Sequence, residues 1–291
     1  MAALVTIGLK VLAYLLTGSV GLFSDALESL VNLVGAIMAL AMLTVAARPA
    51  DDEHTYGHGK AEYFSSGVEG TLILVAAVSI GVAAVQRLVV PQPLERMGLG
   101  LGISIVASLV NLVVALVLLR ASKTHNSITL DANARHLFTD VWTSVGVVVG
   151  VGLVVFTGWE RLDPIVAIIV AANIIWSGVR IVRESVLGLM DTALSPEDQE
   201  TLRKALERHK QDGIEYHAIR SRLAGARQFV SLHVVVPGSW TVHEGHQLLE
   251  RIEADIRIAL PGATVFTHLE SLDDPSSWDD LTLDRERESR R

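Results

Sequence analysis

The chain has 291 residues, half of which are hydrophobic and 19% charged, and its mean hydropathy is +0.42. These values exclude an ordinary soluble globular protein and indicate a membrane protein. The formal net charge of −8 argues against a nucleic acid as partner. The sequence contains no cysteine, so disulfides and thiolate metal sites are excluded, and any metal ion must be held by nitrogen and oxygen.

Six apolar blocks predict six membrane-spanning helices within residues 1–190, because most of them approach the roughly 20 residues that a helix needs to cross the hydrocarbon. The blocks cover residues 2–17, 21–46, 65–90, 97–119, 130–157 and 164–179. The first is the weakest, since it is short and is interrupted by Lys10. Six spans place both termini on one side, and a small excess of Lys and Arg in the loops there predicts that this side is the cytoplasm.

The pattern becomes that of a soluble protein after Met190, which predicts a small cytoplasmic domain over residues 191–272. Ser195 can cap a first helix that runs to about Lys210. The tail at residues 273–291 is rich in Asp, Ser and Arg and is predicted to be disordered.

Further elements of this domain follow in chain order. Two alternating segments flank the turn-like residues 224–226, which is the pattern of a β-hairpin. Thr241 and Glu244 form a capping box ahead of a second helix, Gly262 lies just past its end, and residues 264–270 predict a last strand. The order α-β-β-α-β predicts a small sheet covered by helices, of the ferredoxin-like class.

The second and fifth spans each carry two polar residues at a spacing of four. Residues four apart lie on one side of a helix, so Glu28 and Asn32 face one direction, as His136 and Asp140 do. Two such pairs can close a cage of one imidazole nitrogen and three oxygens, which suits a divalent transition metal.

The alternative is that these groups only join helices through hydrogen bonds, as polar residues often do in membranes. Four groups at matched spacing, two of them carboxylates, favour a metal site, because ionisable residues within a span are costly and usually mark an ion path. Asp25 is a further candidate, as a group that orients the ligands or lies near the mouth of the site.

These motifs, the loop DDEHTYGHGKAE at residues 51–62, the six spans and the α-β-β-α-β domain resemble the cation diffusion facilitator family. The resemblance covers nearly the whole chain. It implies a homodimeric bacterial exporter of zinc and related divalent ions in exchange for protons, located in the inner (plasma) membrane, rather than an enzyme. Metal ions are then both the substrate and a regulatory ligand.

The resemblance implies that the transport site consists of Glu28, Asn32, His136 and Asp140. Zinc exporters of the family usually place Asp or His where Glu28 stands and Asp where Asn32 stands, so the chain departs at both positions. An amide is a neutral and weaker ligand for zinc. Zn²⁺ is therefore the first expectation for the cargo, and Fe²⁺, Mn²⁺ and Co²⁺ are also admissible.

A second site is implied in the loop after span two, at Asp51, His54 and His58. Without the resemblance, this segment is a solvated acidic loop that happens to contain two histidines. Lys60 corresponds to a family lysine that pairs with an acid at the start of the cytoplasmic domain, here Asp191, and such a pair can couple domain motion to the spans.

A third site is implied in the cytoplasmic domain, where Glu270 stands in place of the usual Asp. Its candidate ligands are His217, His233, His246, His268 and Glu270. For any single histidine, an exposed imidazole without a metal is the simpler interpretation. His125, His209 and His243 have no such support and are predicted to be exposed.

The predicted mechanism is alternating access, in which protons from outside displace the metal from ligands that must be deprotonated to hold it. His136 is the best proton carrier, because an unperturbed imidazole has a pKa of ~6.5. A passive metal channel and a non-transporting sensor are alternatives. An intramembrane metalloenzyme with Glu28 as general base is a weaker one, since the sequence lacks an HExxH motif and a further carboxylate pair.

Overall fold

A computed structural model describes residues 2–90, 95–125, 128–210 and 213–278 of the chain. At residues 2, 122–125, 128–133, 135 and 136 it describes the course of the backbone alone. The chain divides into two compact units, which are Met1–Met42 with Ser65–Glu184 and Leu43–Phe64 with Ser185–Arg291.

Long helices make up the first part of the chain. They are α1 (Ala2–Thr17), α2 (Val20–Ala46), α3 (Ala61–Val89), α4 (Met97–His125), α5 (Ile128–Thr157) and α6 (Leu162–Leu189). Among the described residues, five helices, α2 to α6, are long and apolar enough to cross a membrane, whereas α1 is shorter. Large apolar side chains such as Leu40 and Phe156 are exposed on their surfaces, as expected where lipid replaces water.

The spans agree with the predicted apolar blocks for α2 to α5, and α6 continues ten residues beyond the predicted end. Hydropathy ends the block at residue 179 because charged residues follow it, including Arg180 and Glu184, which pair along the helix at 2.8 Å. Backbone hydrogen bonds continue past these charged residues, so the helix is longer than its apolar segment.

A buried carboxylate joins α6 to the start of α2. Asp163 is 1% exposed and accepts hydrogen bonds from the backbone N–H groups of Val20 at 2.8 Å and Gly21 at 3.2 Å, and from the hydroxyl of Ser19. A carboxylate in this position satisfies free N–H groups and complements the helix dipole. A Cβ atom at Gly21 would lie 3.1 Å from this carboxylate, which explains the small residue there.

The part of the chain after α6 follows the predicted α-β-β-α-β order. Its elements are α7 (Pro196–Glu207), β1 (Glu215–Ala224), β2 (Arg227–Val236), α8 (Val242–Ala259), β3 (Ala263–Ser271) and a final 3-10 turn (Pro275–Trp278). β2 is central and pairs antiparallel with β1 and parallel with β3. Because the described residues contain three strands, short of a complete β-α-β-β-α-β motif, the ferredoxin-like assignment is not confirmed.

Alternation along β2 separates the two faces of the sheet. Leu232 and Val234 pack into the core with Ile252 and Ile256 of α8, so α8 covers this face. His233 points to the opposite face, because successive side chains of a strand alternate. The predicted caps are confirmed: Ser195 accepts from the backbone of α7, and Thr241 forms a capping box at α8.

Two features of this domain differ from the predictions. His209, predicted to be exposed, has a side chain that is only 15% exposed and lies 2.7 Å from the carboxylate of Asp255, because the end of α7 packs against α8. The segment from Asp273, predicted to be disordered, forms a turn at Pro275–Trp278, and the ring of Trp278 lies against His217. Residues 279–291 lie outside the described residues.

Candidate metal sites

A cavity of about 260 Å³ lies among α1, α2, α4 and α5. Asn32 of α2 and Asp140 of α5 line it, and Nδ2 of Asn32 donates a hydrogen bond to Oδ1 of Asp140 at 3.3 Å. Asp140 is 8% exposed. The structure thus brings together one residue from each of the two pairs that the sequence singles out.

The other two residues of these pairs lie one helical turn away. Glu28 is half-buried on α2 and does not line the cavity. His136 lies on α5, and its side chain is outside the described residues. The hydrogen bond to Asp140 presents the NH₂ group of Asn32, which repels a cation. The amide must therefore turn its carbonyl oxygen toward the carboxylate for both groups to hold a metal ion.

A buried ion pair borders the cavity. Nζ of Lys10 donates to Oδ1 of Asp25 at 2.8 Å and to the hydroxyl of Ser29 at 2.8 Å, and Ser144 donates to the same Asp25 oxygen at 2.7 Å. The two charged side chains are 1% and 2% exposed. Because the ammonium neutralises Asp25, this carboxylate attracts a divalent cation much less than Asp140 does. Its role as a group that orients the ligands or lies near the mouth of the site stays a prediction.

The sequence predicts no role for Lys10, which interrupts the weak first span. A lysine inside an apolar helix is nevertheless a signal, because it needs an acidic or polar partner within the bundle. Nothing in the spacing of residues indicates that this partner is Asp25, which lies in the next helix.

The three predicted residues of the loop after α2 lie together. Asp51 contacts Nδ1 of His54 at 3.2 Å and Nε2 of His58 at 3.3 Å, and the two imidazole rings are 4.5 Å apart. One ligand atom from each lies within 4.8 Å of the others. The backbone N–H of His54 lowers the pKa of Asp51, so its carboxylate is ionised and available as an oxygen donor.

The strands bring a second group together on the open face of the sheet. Glu270 of β3 contacts Nε2 of His217 at 2.9 Å and Nδ1 of His233 at 3.1 Å. His233 is directly opposite both His217 and His268 in the sheet register. His268 is exposed, and its Nε2 lies 3.6 Å from Glu270. Two imidazoles and a shared carboxylate form a donor set that suits zinc.

His246 does not join this group of ligand atoms among the described residues. It is exposed on α8, which covers the opposite face of the sheet. β1 is irregular next to the cluster: a register shift follows His217, and Ala218 adopts a positive φ of 47°. Such irregularities re-aim neighbouring side chains.

The predicted pair between Lys60 and Asp191 is confirmed, with a separation of 3.0 Å. Arg222 of β1, which sequence reasoning missed, contacts the same carboxylate oxygen at 3.2 Å. Its guanidinium also lies over the rings of Tyr56, at 4.9 Å, and Phe229, at 4.3 Å, an attractive arrangement for a cation. Lys60 and then Arg222 lower the pKa of Asp191, so this carboxylate stays ionised.

Comparison with known proteins identifies both parts of the chain. Residues 1–190 match the family model of the cation efflux transmembrane domain, and residues 194–272 match that of the cation efflux protein cytoplasmic domain. A solved structure of CzrB, described as a proposed zinc transporter, shares 34% identity over 27% of this chain and 96% of that chain, with a TM-score of 0.26.

Two relatives extend the match over most of the chain. The uncharacterized transporter sll1263 of Synechocystis sp. is 52% identical over 95% of this chain and 89% of its own length. The cation-efflux pump FieF of Salmonella arizonae is 28% identical over 91% of this chain and 88% of its own length. The chain therefore belongs to the cation efflux family of membrane transporters, also called cation diffusion facilitators.

Proposed function

We propose that this protein is a homodimeric secondary transporter that exports a divalent transition-metal cation from the cytoplasm in exchange for protons. The family and its relatives are cation-efflux transporters and not enzymes, which agrees with the sequence-based prediction. The observation that carries the proposal is the contact between Asn32 and Asp140, in a cavity enclosed by four helices.

The cation is held in this proposal by Glu28, Asn32, His136 and Asp140. Ligands must be deprotonated to hold a metal, so binding of the cation releases protons and arrival of protons releases the cation. Alternating access to the cavity then makes the exchange directional. Zn²⁺ is the first candidate for the cargo, with Fe²⁺, Mn²⁺ and Co²⁺ as further candidates, because affinity order alone does not choose among them.

The loop site and the sheet cluster are proposed as regulatory cation sites. Asp51, His54 and His58 form the first, and the second consists of His217, His233, His268 and Glu270, with His246 as an additional candidate. A cation that binds one arrangement of the protein more tightly shifts the population toward it.

The proposed organisation is a membrane domain over residues 1–190 with six spans and a cytoplasmic domain over residues 191–272, with both termini in the cytoplasm.

A homodimer is supported by the match of residues 194–272 to the family's cytoplasmic domain, whose short model name, ZT_dimer, refers to a dimer. The passive channel and the sensor remain the competing functions. Both differ from the proposal in proton flux, because a channel conducts the cation without moving protons and a sensor moves neither.

Transport into reconstituted vesicles tests the proposal. The wild type is expected to move Zn²⁺ or another divalent cation in one direction and protons in the other, recorded with a metal dye and a pH dye. Asp140→Asn keeps the shape of the side chain and removes its charge, so both fluxes are expected to fall to background. Asp52→Asn, at an exposed loop position, is the control. Full flux with Asp140→Asn contradicts the site, and cation flux without protons identifies a channel.

A further inference from the structure

α4 carries three buried polar side chains on one face of an otherwise apolar segment. Ser104, Ser108 and Asn111 are 0%, 8% and 6% exposed, and spacings of four and three keep them on one side of the helix. Ser108 satisfies its hydroxyl within α4 by donating to the backbone oxygen of Ser104 at 2.9 Å. An amide has two donor hydrogens and an acceptor oxygen to satisfy, so burying Asn111 in a span is the most costly of the three.

Asn111 lines the cavity that also contains Asn32 and Asp140. Two hydroxyl groups line it as well, but both are engaged elsewhere. Thr6 donates to the backbone oxygen of Ala3 at 3.0 Å, and Ser29 accepts a hydrogen bond from the ammonium of Lys10 at 2.8 Å. An oxygen that already faces an ammonium is a poor ligand for a second cation. Apart from Asn32, the amide of Asn111 is therefore the neutral side-chain oxygen in the cavity lining that is best suited to bind a cation.

We propose that Oδ1 of Asn111 is a direct ligand of the transported cation, supplied by a helix outside the two that carry the paired motifs. The inference rests on the proposed function of the cavity. Asn111 adds a ligand without adding charge, so that the cation is bound by two amide oxygens in addition to the carboxylates and His136.

This donor set changes the class of cation that the cavity prefers. Zn²⁺ is most often held by four ligands, and it favours nitrogen and sulfur donors as well as oxygen. Ions such as Mn²⁺ are suited to oxygen donors and to six-coordinate geometry. A fifth protein ligand that is a neutral oxygen therefore moves the preference from Zn²⁺ toward Mn²⁺ or Fe²⁺.

Cobalt absorption spectroscopy on the purified full-length protein tests this inference, because the visible bands of Co²⁺ are weak with six ligands and intense with four. The measurements use a background with Asp51→Asn and Glu270→Gln, which weakens the loop site and the sheet cluster. Asn111→Leu keeps the approximate volume and removes the ligand oxygen. We expect intensified Co²⁺ bands and a loss of Mn²⁺ affinity of at least about tenfold, the low end for removal of a group that supports a metal.

The control is Asn173→Leu, the same change at an exposed position of α6, which is expected to alter neither quantity. A purely structural role of Asn111 also leaves the Co²⁺ spectrum unchanged in any folded variant. If Asn111→Leu does not fold, Asn111→Asp retains the ligand oxygen and adds a charge, and a rise in Co²⁺ affinity is expected. Unchanged spectra and affinities in these variants overturn the inference.

Asp140→Asn in the same background separates the inference from the proposed function. If Asp140→Asn keeps the full Co²⁺ signal, the cavity is not the cation site and the proposed function fails with it. If Asp140→Asn loses the signal while both Asn111 variants behave as the wild type, the cavity holds the cation and only the role of Asn111 is wrong.

Discussion

The membrane cavity and the sheet cluster differ in the donors that they offer to a cation. The described part of the cavity combines the carboxylate of Asp140 with the amides of Asn32 and Asn111. The sheet cluster combines two imidazoles with Glu270, at separations of 2.9 and 3.1 Å. Neutral amide oxygens bind more weakly than imidazoles, so this difference is the one expected between a site that must release its cation and a site that retains it.

The surroundings of the two regions differ as well. The cavity borders the buried pair of Lys10 and Asp25, whose charges are enclosed by protein. The sheet cluster lies against the ring of Trp278, and its member His268 is exposed. A change in the membrane region therefore disturbs charges that water cannot screen, whereas a change in the sheet region is expected mainly to alter the proposed metal binding.

Lys10→Met is expected to have the largest effect, because it leaves the charge of Asp25 buried without its partner. Breaking a buried ion pair on one side costs about 3–5 kcal/mol. The measurement is thermal unfolding of the detergent-solubilised protein. Lys10→Met combined with Asp25→Leu removes both charges and is expected to recover most of the stability. Wild-type stability of the single variant would show that Asp25 does not depend on the ammonium.

Glu270→Gln is expected to weaken the sheet cluster. The carboxylate contacts both His217 and His233. Its loss therefore removes the oxygen ligand that lies between the two imidazole ligands. We expect the Zn²⁺ affinity of this site to fall about 100-fold, the upper end for loss of a group that supports a metal. A Zn²⁺ titration against a chelating dye measures it. Glu215→Gln, at the exposed start of β1, is the matched control, and equal losses in both variants contradict the assignment.

Asn32→Asp sharpens the comparison by giving the cavity one more negative charge. The charge count of the ligands tunes affinity for divalent ions, so Zn²⁺ is expected to bind roughly tenfold more tightly and the range of ions carried to narrow. The test measures the affinities for Zn²⁺, Fe²⁺, Mn²⁺ and Co²⁺ and the uptake of each ion, in the wild type and in Asn32→Asp. If neither quantity changes, Asn32 is not a ligand.

Asp191→Asn is expected to have the smallest effect, about 0.2–1 kcal/mol of stability, because the pair with Lys60 is half-exposed. The pKa of Asp191 lies below its ordinary value of 3.8, chiefly through the hydrogen bond from Lys60. The contribution is thus fully present above pH 3.8 and is lost as the pH falls through the lowered pKa. Unfolding of wild type and variant across this pH range checks it, and a difference that grows on acidification would contradict this sign.

Features that depend on neighbours along the chain can be predicted from the sequence without the fold. The apolar blocks predict α2 to α5 closely, because the hydropathy of a span depends only on the residues of that one helix. The caps at Ser195 and Thr241 follow from residues three positions apart. The spacing of Asn32 from Glu28, and of Asp140 from His136, also predicts the helix faces that would carry the proposed cation site. The pair of Lys60 and Asp191 came from the family resemblance rather than from spacing.

Tertiary structure alone decided which of these faces meet and what else lies beside them. Asp25 pairs with Lys10, Asp163 caps a helix more than 140 residues away in the sequence, and Asn111 lines the cavity. Each contact joins separate helices, and helical periodicity shows which side of a helix is polar but not which helix faces it. In the sheet, the register places His233 between His217 and His268, whereas α8 carries His246 on the opposite face. Pairing between strands and packing of helices are set by the whole apolar core, so residue spacing along one segment contains no information about them.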